Sequence, residues 1–319
     1  MRSGAPAPRG PKVTFGGTEG PCPGRTKVPV TVVRPVAASW AAARTQTQAL
    51  VRSSLEAALK ILVTVKRVPD TAAEKRLDPD DKTLDRESVE TILNPVDEYA
   101  VEEALRLKEK AGGEVVVLCM GPESALATVR KALSMGPDAA VHVHDDALHG
   151  SCAFNTAKVL DAAVRRVEPD IVLSGSESTD ARTSLVPSAL AEYLGWPGLI
   201  GAKQLEVDGS TIRIHRETEA GYDVVEAQGP AVVSVVKGIN EPRYPSFKGI
   251  MAAKSKPVTD YTLADLEIDP GTVGAAGATT EVVDFAPRPP RQAGHQTKDQ
   301  GDGSAAVELA DFLATHKFI

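Results

Sequence analysis

The sequence predicts an α/β protein: a parallel-sheet domain with a late antiparallel extension and a C-terminal arm. Three observations predict it. Short β-branched runs alternate with helical segments between residues 61 and 194, the rhythm of parallel strands joined by crossover helices. After Pro197 the apolar residues recur at every second position, as in strands with one solvated face. From Ala275 the chain becomes rich in Pro, Gly and polar residues, then ends in one amphipathic stretch. A hydrophobic content of 42% supplies enough apolar side chains for a sizeable core.

Order begins at Ile61-Leu62-Val63-Thr64-Val65, a run short enough for a buried strand, which Pro69 is expected to end. The charged stretch Asp78 to Lys82 reads as a solvated loop or edge. Asn94-Pro95 opens a helix, because Asn favours the N-cap and Pro fits the first turn. Asp97 and Glu98 lie in that first turn, where negative charge complements the helix dipole. Gly112-Gly113 stops the helix. Glu114–Met120 reads as a strand, Glu123–Ser134 as a helix closed by Gly136, and Ala139–Val143 as a strand. Ala153–Val167 is a helix, Ile171–Leu173 a strand, and Ser184–Leu194 a helix ended by Gly195-Trp196-Pro197. The crossovers should be right-handed. Gln204–Val207 and Thr211–Arg216 flank Asp208-Gly209, a hairpin signal, and Tyr222–Glu226 and Ala231–Val236 continue the β character. In the tail, Val307, Leu309, Ala310, Phe312 and Leu313 share a helix face that needs a surface to dock on, either this domain or a partner subunit.

Residues 1–58 stand apart, with eight basic residues against Glu19 and Glu56. Their Pro and Gly content reads as a disordered extension, or a start codon placed too far upstream. The alternative is an organellar transit peptide. The net charge of −7 excludes the basic excess that nonspecific nucleic-acid binding requires. No apolar run approaches the ~20 residues of a membrane span. Cys22, Cys119 and Cys152 fit neither a disulfide framework nor a metal-ligand spacing, which suits a reducing compartment.

Doubly wound sheets bind ligands beyond the carboxyl ends of their strands. Three such places are Thr64–Asp70, Cys119-Met120-Gly121-Pro122, and Leu173 through Asp180. The last is small, polar and Gly-containing, and leads into a helix whose N-terminus favours a phosphate. Turn geometry alone accounts for many such loops. Neither the dinucleotide nor the P-loop glycine motif is present. His142, His144 and His149 invite a metal, but no Cys or Glu completes a set, so surface histidines are the preferred reading. Ser151 and Cys152 lack a nucleophile elbow and a base, and no catalytic constellation emerges. The segment 239–256 combines two prolines, Tyr244, Phe247 and flanking cations. It reads either as a loop packing its aromatics inward or as an exposed apolar anchor ringed by charge.

Several segments recur in one order: Val65-Lys66-Arg67-Val68-Pro69-Asp70, Asn94-Pro95, Ala100 through Glu109, and Ala132-Leu133-Ser134-Met135-Gly136. On these and the segments that follow, the chain from Leu62 to Lys256 resembles the beta subunit of electron transfer flavoproteins. The resemblance continues in Leu194-Gly195-Trp196-Pro197, Arg216-Glu217, Pro230-Ala231-Val232-Val233 and Asn240-Glu241-Pro242-Arg243-Tyr244. Pro245 through Lys254 is most similar to the FixA-type subunits of bacteria. The resemblance implies a Rossmann-like domain of the adenine-nucleotide α-hydrolase type, spanning 59–256, followed by a linker and arm over 257–319. It also implies a heterodimer with an alpha subunit that holds most of one FAD. The beta domain would bind AMP, or a second FAD in electron-bifurcating relatives.

Carried over by position, that nucleotide meets Thr64, Asn94, Pro95, Val96, Asp97, Met120, Gly175, Ser176, Glu177, Ser178, Thr179, Asp180, Ala181, Arg182, Thr183, Ser184, Leu185 and Val186. Thr71 falls where some relatives place a tyrosine beside the flavin. Glu217 matches an acidic residue that pairs with an arginine of the alpha subunit. Phe247 matches an anchor inserted into partner dehydrogenases, with Arg243, Tyr244, Lys248 and Met251 around it. Two glycines common in the family's nucleotide loop are replaced by Ala181 and Ser184, which limits close backbone approach to a phosphate; Arg182 offers a direct phosphate contact instead. The implied role is an electron carrier, not an enzyme, working from flavin dehydrogenases such as the acyl-CoA dehydrogenases of fatty acid oxidation to a quinone oxidoreductase. A bifurcating complex and a stand-alone nucleotide-binding enzyme are the alternatives. The implied location is the bacterial cytoplasm or the mitochondrial matrix.

Overall fold

A computed structural model describes residues 58–286, 289 and 294–319, so nearly all of the predicted 1–58 extension lies outside the described residues. The β-branched runs assemble one nine-stranded sheet in the order β11-β5-β4-β1-β6-β10-β7-β8-β9. Strand β1 (Lys60–Val65) pairs in parallel with β4 (Glu114–Met120) on one side and β6 (Ile171–Gly175) on the other. β5 (Ala139–Val143) follows β4 outward, and β10 (Ala231–Val235) follows β6. β7 (Gly198–Asp208) joins β10 in parallel; β8 (Thr211–Thr218) and β9 (Gly221–Gln228) then add antiparallel.

Alternation along β1 sets the layers. Ile61, Val63 and Val65 face a cluster with α1 (Pro95–Ala111) and α2 (Leu126–Met135). Leu62 faces the opposite cluster with α3 (Ala153–Val167) and α4 (Val186–Leu194). Both faces are thus covered, as a parallel sheet requires. The helices change face between β5 and β6, so the chain leaves β1 toward one layer and β6 toward the other. That divergence is the switch point of the sheet, the place beyond the strand ends where doubly wound folds bind ligands.

Three local features differ from the sequence reading. Pro69 does not end β1: Arg67–Pro69 forms a short β2 that pairs antiparallel with β3 (Thr91–Leu93), and Pro69 sits where an edge strand tolerates it. The fourth helix begins at Val186 rather than Ser184, because Ser184 adopts a left-handed φ of 51° that no α-helix accommodates. β7 starts directly after Pro197, earlier than its alternation suggested.

The packed body continues past residue 256. β11 (Val258–Tyr261) pairs with β5 at the sheet edge, and Leu263, Leu266 and Val273 join the α3/α4 core. In the arm, α6 (Ser304–Thr315) buries none of its residues, and Val307, Leu309 and Phe312 stand exposed. Among the described residues no helix is long and apolar enough to cross a membrane.

Candidate functional site

The site grows from the ends of β1 and β6 and the start of α1. Asn94 is almost wholly buried, but its side chain does not cap α1 as expected. It reaches across to the loop after β6 instead. Nδ2 donates to the Glu177 carbonyl at 2.9 Å, and Oδ1 accepts the Thr179 amide at 3.1 Å. An amide side chain offers both donor and acceptor, which is what bridging a loop's carbonyl and N–H demands. Pro95, in the first turn, and Val96 carry the chain on into the helix.

Asp97 is buried too, so its role exceeds complementing the helix dipole. Its carboxylate accepts the Lys66 amide at 2.9 Å and Asn94 Nδ2 at 2.9 Å. Burial pushes the carboxyl up to about 7, against the opposing pull of Asn94 and Lys66. A β-carbon at Gly175 would fall 2.4 Å from Asp97 Oδ1, so glycine at the end of β6 is what lets α1 seat there.

The loop itself is braced from two sides. The Asp180 side chain is fully enclosed. Its Oδ1 accepts Lys66 Nζ at 2.9 Å and the Ala181 amide at 2.7 Å; its Oδ2 accepts Arg86 Nη2 at 2.6 Å. Burial opposes ionisation, yet the Lys66 ammonium, the Ser178 hydroxyl and Arg86 outweigh it and hold the carboxyl far below the usual range. Burial also lowers the Lys66 pKa, with Asp180 opposing the shift. Arg182 and Ser184 take left-handed φ values of 49° and 51°, and Ser184 Oγ donates to Glu177 at 3.3 Å. Thr183 and Leu185 carry the chain from there to Val186, where α4 begins. Two buried hydroxyls at this strand end, Ser174 Oγ and Thr179 Oγ1, have no hydrogen-bond partner among the described residues.

Of the predicted nucleotide residues, the structure therefore brings Asn94, Asp97 and the 175–180 segment into one bonded cluster. Ser176 continues the sheet edge through its amide to the Val235 carbonyl. Thr64 on β1 and Met120 at the end of β4 lie half-buried at the same end of the sheet. Ala181, Arg182, Thr183 and Ser184 are exposed, as is Thr71. Sequence reasoning missed Arg86 altogether. It sits in the charged excursion between β2 and β3, 94 positions from Asp180, and no local pattern marks it.

The histidines were read as surface residues, and His142 corrects this. It is buried, with Nε2 3.1 Å from the Gly121 carbonyl and Nδ1 3.2 Å from Asp260. β11 covers it, an edge strand the sequence did not reveal. Ser151 Oγ donates to the Leu148 carbonyl and accepts the Gly274 amide, pinning a turn.

Segment 239–256 is a second feature on the same scaffold. Asn240 Nδ2 donates to the Tyr99 carbonyl and to Glu103. Arg243 is committed to α1: Nε and Nη2 hold Glu102 at 2.7 and 3.1 Å, and Nη1 holds Glu109 at 2.6 Å. α5 (Phe247–Ala253) is capped by Ser246 and seats on α2, where Gly249 clears the Ser134 carbonyl. On this fixed base Tyr244 is 96% and Phe247 81% exposed, with Ile250 and Met251 beside them. The aromatics point outward, and Lys248 is exposed next to them. Glu217 is exposed near the end of β8.

A doubly wound sheet with a polar, braced loop at its switch point defines a class: an α/β protein of the Rossmann-like kind, which binds its ligands beyond the strand ends. The electron transfer flavoprotein domain profile matches residues 81–266. The chain is 45% identical to an electron transfer flavoprotein subunit beta of Mycobacterium leprae, over 81% of this chain and 99% of that protein. It is 42% identical to the subunit beta of Thermoanaerobacterium thermosaccharolyticum, over 70% of this chain and 86% of the relative. Identity is 38% to a caffeyl-CoA reductase-Etf complex subunit, CarD, of Acetobacterium woodii, over 70% and 86%. The chain belongs to the electron transfer flavoprotein family, among its beta subunits. Its role is electron transfer as a carrier subunit rather than an enzyme, and a beta subunit implies an alpha-subunit partner.

Proposed function

We propose that this chain is the nucleotide-holding half of an alpha–beta electron carrier in the cytoplasm. The alpha subunit holds most of one FAD, whose ring supplies the electron-carrying chemistry. The beta chain holds an adenine nucleotide, AMP or a second FAD, against Asn94–Asp97 and the 175–186 loop. One observation carries this reading: the polar cluster at the switch point leaves Ser174 Oγ and Thr179 Oγ1 buried without partners among the described residues. Unsatisfied buried hydroxyls are uncommon in folded proteins and suit a polar ligand. The residues fit the group. Asn94 and Asp180 hold the loop, and Lys66 and Arg86 both pair with the enclosed Asp180 carboxylate, which keeps polar groups gathered at the strand ends.

The exposed row of Tyr244, Phe247, Ile250 and Met251 supports docking of flavin dehydrogenases, acyl-CoA dehydrogenases of fatty acid oxidation among them. A quinone oxidoreductase is the acceptor in this reading. In this reading Glu217 pairs with an arginine of the alpha subunit, and its exposure near the end of β8 supports that role. Co-expression with the alpha subunit, followed by denaturation and quantification of flavin and adenine nucleotides, tests the proposal. One FAD and one AMP per heterodimer is the carrier outcome; two FAD per heterodimer marks the bifurcating form. A single FAD with no further nucleotide overturns the beta-site reading.

A further inference from the structure

The excursion between β2 and β3 carries no residue assigned to the nucleotide, yet it holds the nucleotide loop. Arg86 Nη2 lies 2.6 Å from Asp180 Oδ2, and Lys75 Nζ lies 3.2 Å from the Thr179 carbonyl. From the strand side, Lys66 Nζ takes the other Asp180 oxygen at 2.9 Å. The carboxylate is thereby shared between the end of β1 and the excursion, with its side chain fully enclosed. What it fixes lies on either side in sequence. Upstream, the Thr179 amide is held by Asn94, and Thr179 Oγ1 is buried without a partner among the described residues. Downstream, Arg182 and Ser184 adopt left-handed backbone without being glycine, a conformation that persists only where neighbours enforce it. The excursion closes on itself through the Leu77–Leu84 bridge, and Arg67 of β2 bonds both its Glu87 and Ser124.

Resting on the reading of the 175–186 loop as an adenine-nucleotide site, we propose that Arg86, together with Lys66, is a positioning residue for that site. By clamping Asp180, the pair holds the loop's amides and hydroxyls in the form the nucleotide meets, and Arg86 thereby ties the order of the excursion that carries it to the site. Ligand binding and excursion order are then linked, and linkage is reciprocal: loosening the clamp weakens the nucleotide, and the nucleotide steadies the excursion. The guanidinium suits this role because its planar donors stay charged and keep their geometry when half-buried.

The test uses the alpha–beta heterodimer stripped of adenine nucleotide, with AMP as the probe in calorimetry and in hydrogen exchange of residues 71–90. Arg86→Gln is expected to weaken AMP by roughly tenfold, within the 5- to 150-fold range usual for such coupling. AMP should slow exchange across 71–90 in the unaltered protein and lose that effect in Arg86→Gln. Arg86→Lys, which keeps the charge, should recover part of the affinity. Glu87→Gln, which weakens the neighbouring bonds of Glu87 to Arg67 and Ser124 and leaves the Arg86–Asp180 pair in place, should leave AMP affinity unchanged. Unaltered AMP affinity in Arg86→Gln overturns the clamp and leaves the nucleotide site standing. Equal weakening by Glu87→Gln also overturns the clamp, by showing general loosening of the excursion. An unaltered heterodimer that neither releases an adenine nucleotide nor binds added AMP overturns both readings.

Discussion

Replacing Phe247 with alanine tests the proposed docking surface directly. The side chain is 81% exposed at the first position of α5. A phenylalanine presents roughly 200 Å² of surface, so about 160 Å² is available to a partner and only about 40 Å² is already covered. At ~25 cal/mol per Å², full burial in a dehydrogenase pocket gives at most about 4 kcal/mol. Side-chain ordering and the area that alanine retains reduce this to about 2–3 kcal/mol, a weakening of roughly 30- to 150-fold. The area already covered corresponds to about 1 kcal/mol of folding stability, or some 2–4 °C in Tm for a body of this size. A core phenylalanine would instead cost about 3–5 kcal/mol on truncation. The assay pairs a thermal melt of the heterodimer with dehydrogenase-coupled reduction at varied carrier concentration. A large rise in KM for the carrier with a nearly unchanged melt is expected. A large fall in Tm with normal transfer per folded molecule would refute the assignment.

Three further outcomes follow from the same geometry. Arg243→Met removes the bonds to Glu102 and Glu109 that fix the loop to α1, and should lower stability by about 2 kcal/mol, seen as a Tm loss of about 4–8 °C. Asp97 should make stability fall as pH rises from about 5 to 7. Its folded carboxyl keeps a proton up to about 7, whereas the unfolded one ionises near ~3.9, so the folded state binds more protons in that window. Denaturant titrations at pH 5, 6, 7 and 8 should show that slope flattened in Asp97→Asn; an identical pH profile would count against it. Ser184→Gly relieves a left-handed serine and gives up only a 3.3 Å bond to Glu177, so stability should stay level or rise by up to ~1 kcal/mol in chemical denaturation, with nucleotide retained.

Much of this protein is written locally. The β-branched run at Ile61–Val65, the alternation after Pro197, and the glycines after α1 and α2 each depend on neighbours a few positions away. Backbone propensity and side-chain periodicity act over that range, so these elements and their doubly wound arrangement were legible. The polar loop after β6 and the sticky segment at 239–256 were legible for the same reason, by composition. What the segment does with its aromatics was not. Composition allowed Phe247 to point inward or outward, and the choice was made by Arg243 and Asn240 gripping α1 while Gly249 seats α5 on α2.

The short strands β2, β3 and β11 were invisible because three or four residues carry too little pattern; each exists through its pairing partner. Asn94 and Asp97 looked like ordinary helix-start residues, and only the crossing of α1 past the end of β6 turned them into braces for another loop. Arg86 and Asp180 meet across 94 positions, and His142 meets Asp260 across 118. Contacts at that separation are set by strand order and by which face each crossover takes. Local sequence pattern determined the elements and the chemistry each could offer; the strand order alone decided which of those side chains stand within bonding distance, because hydrogen bonds and ion pairs act over a few ångströms of space whatever the separation along the chain.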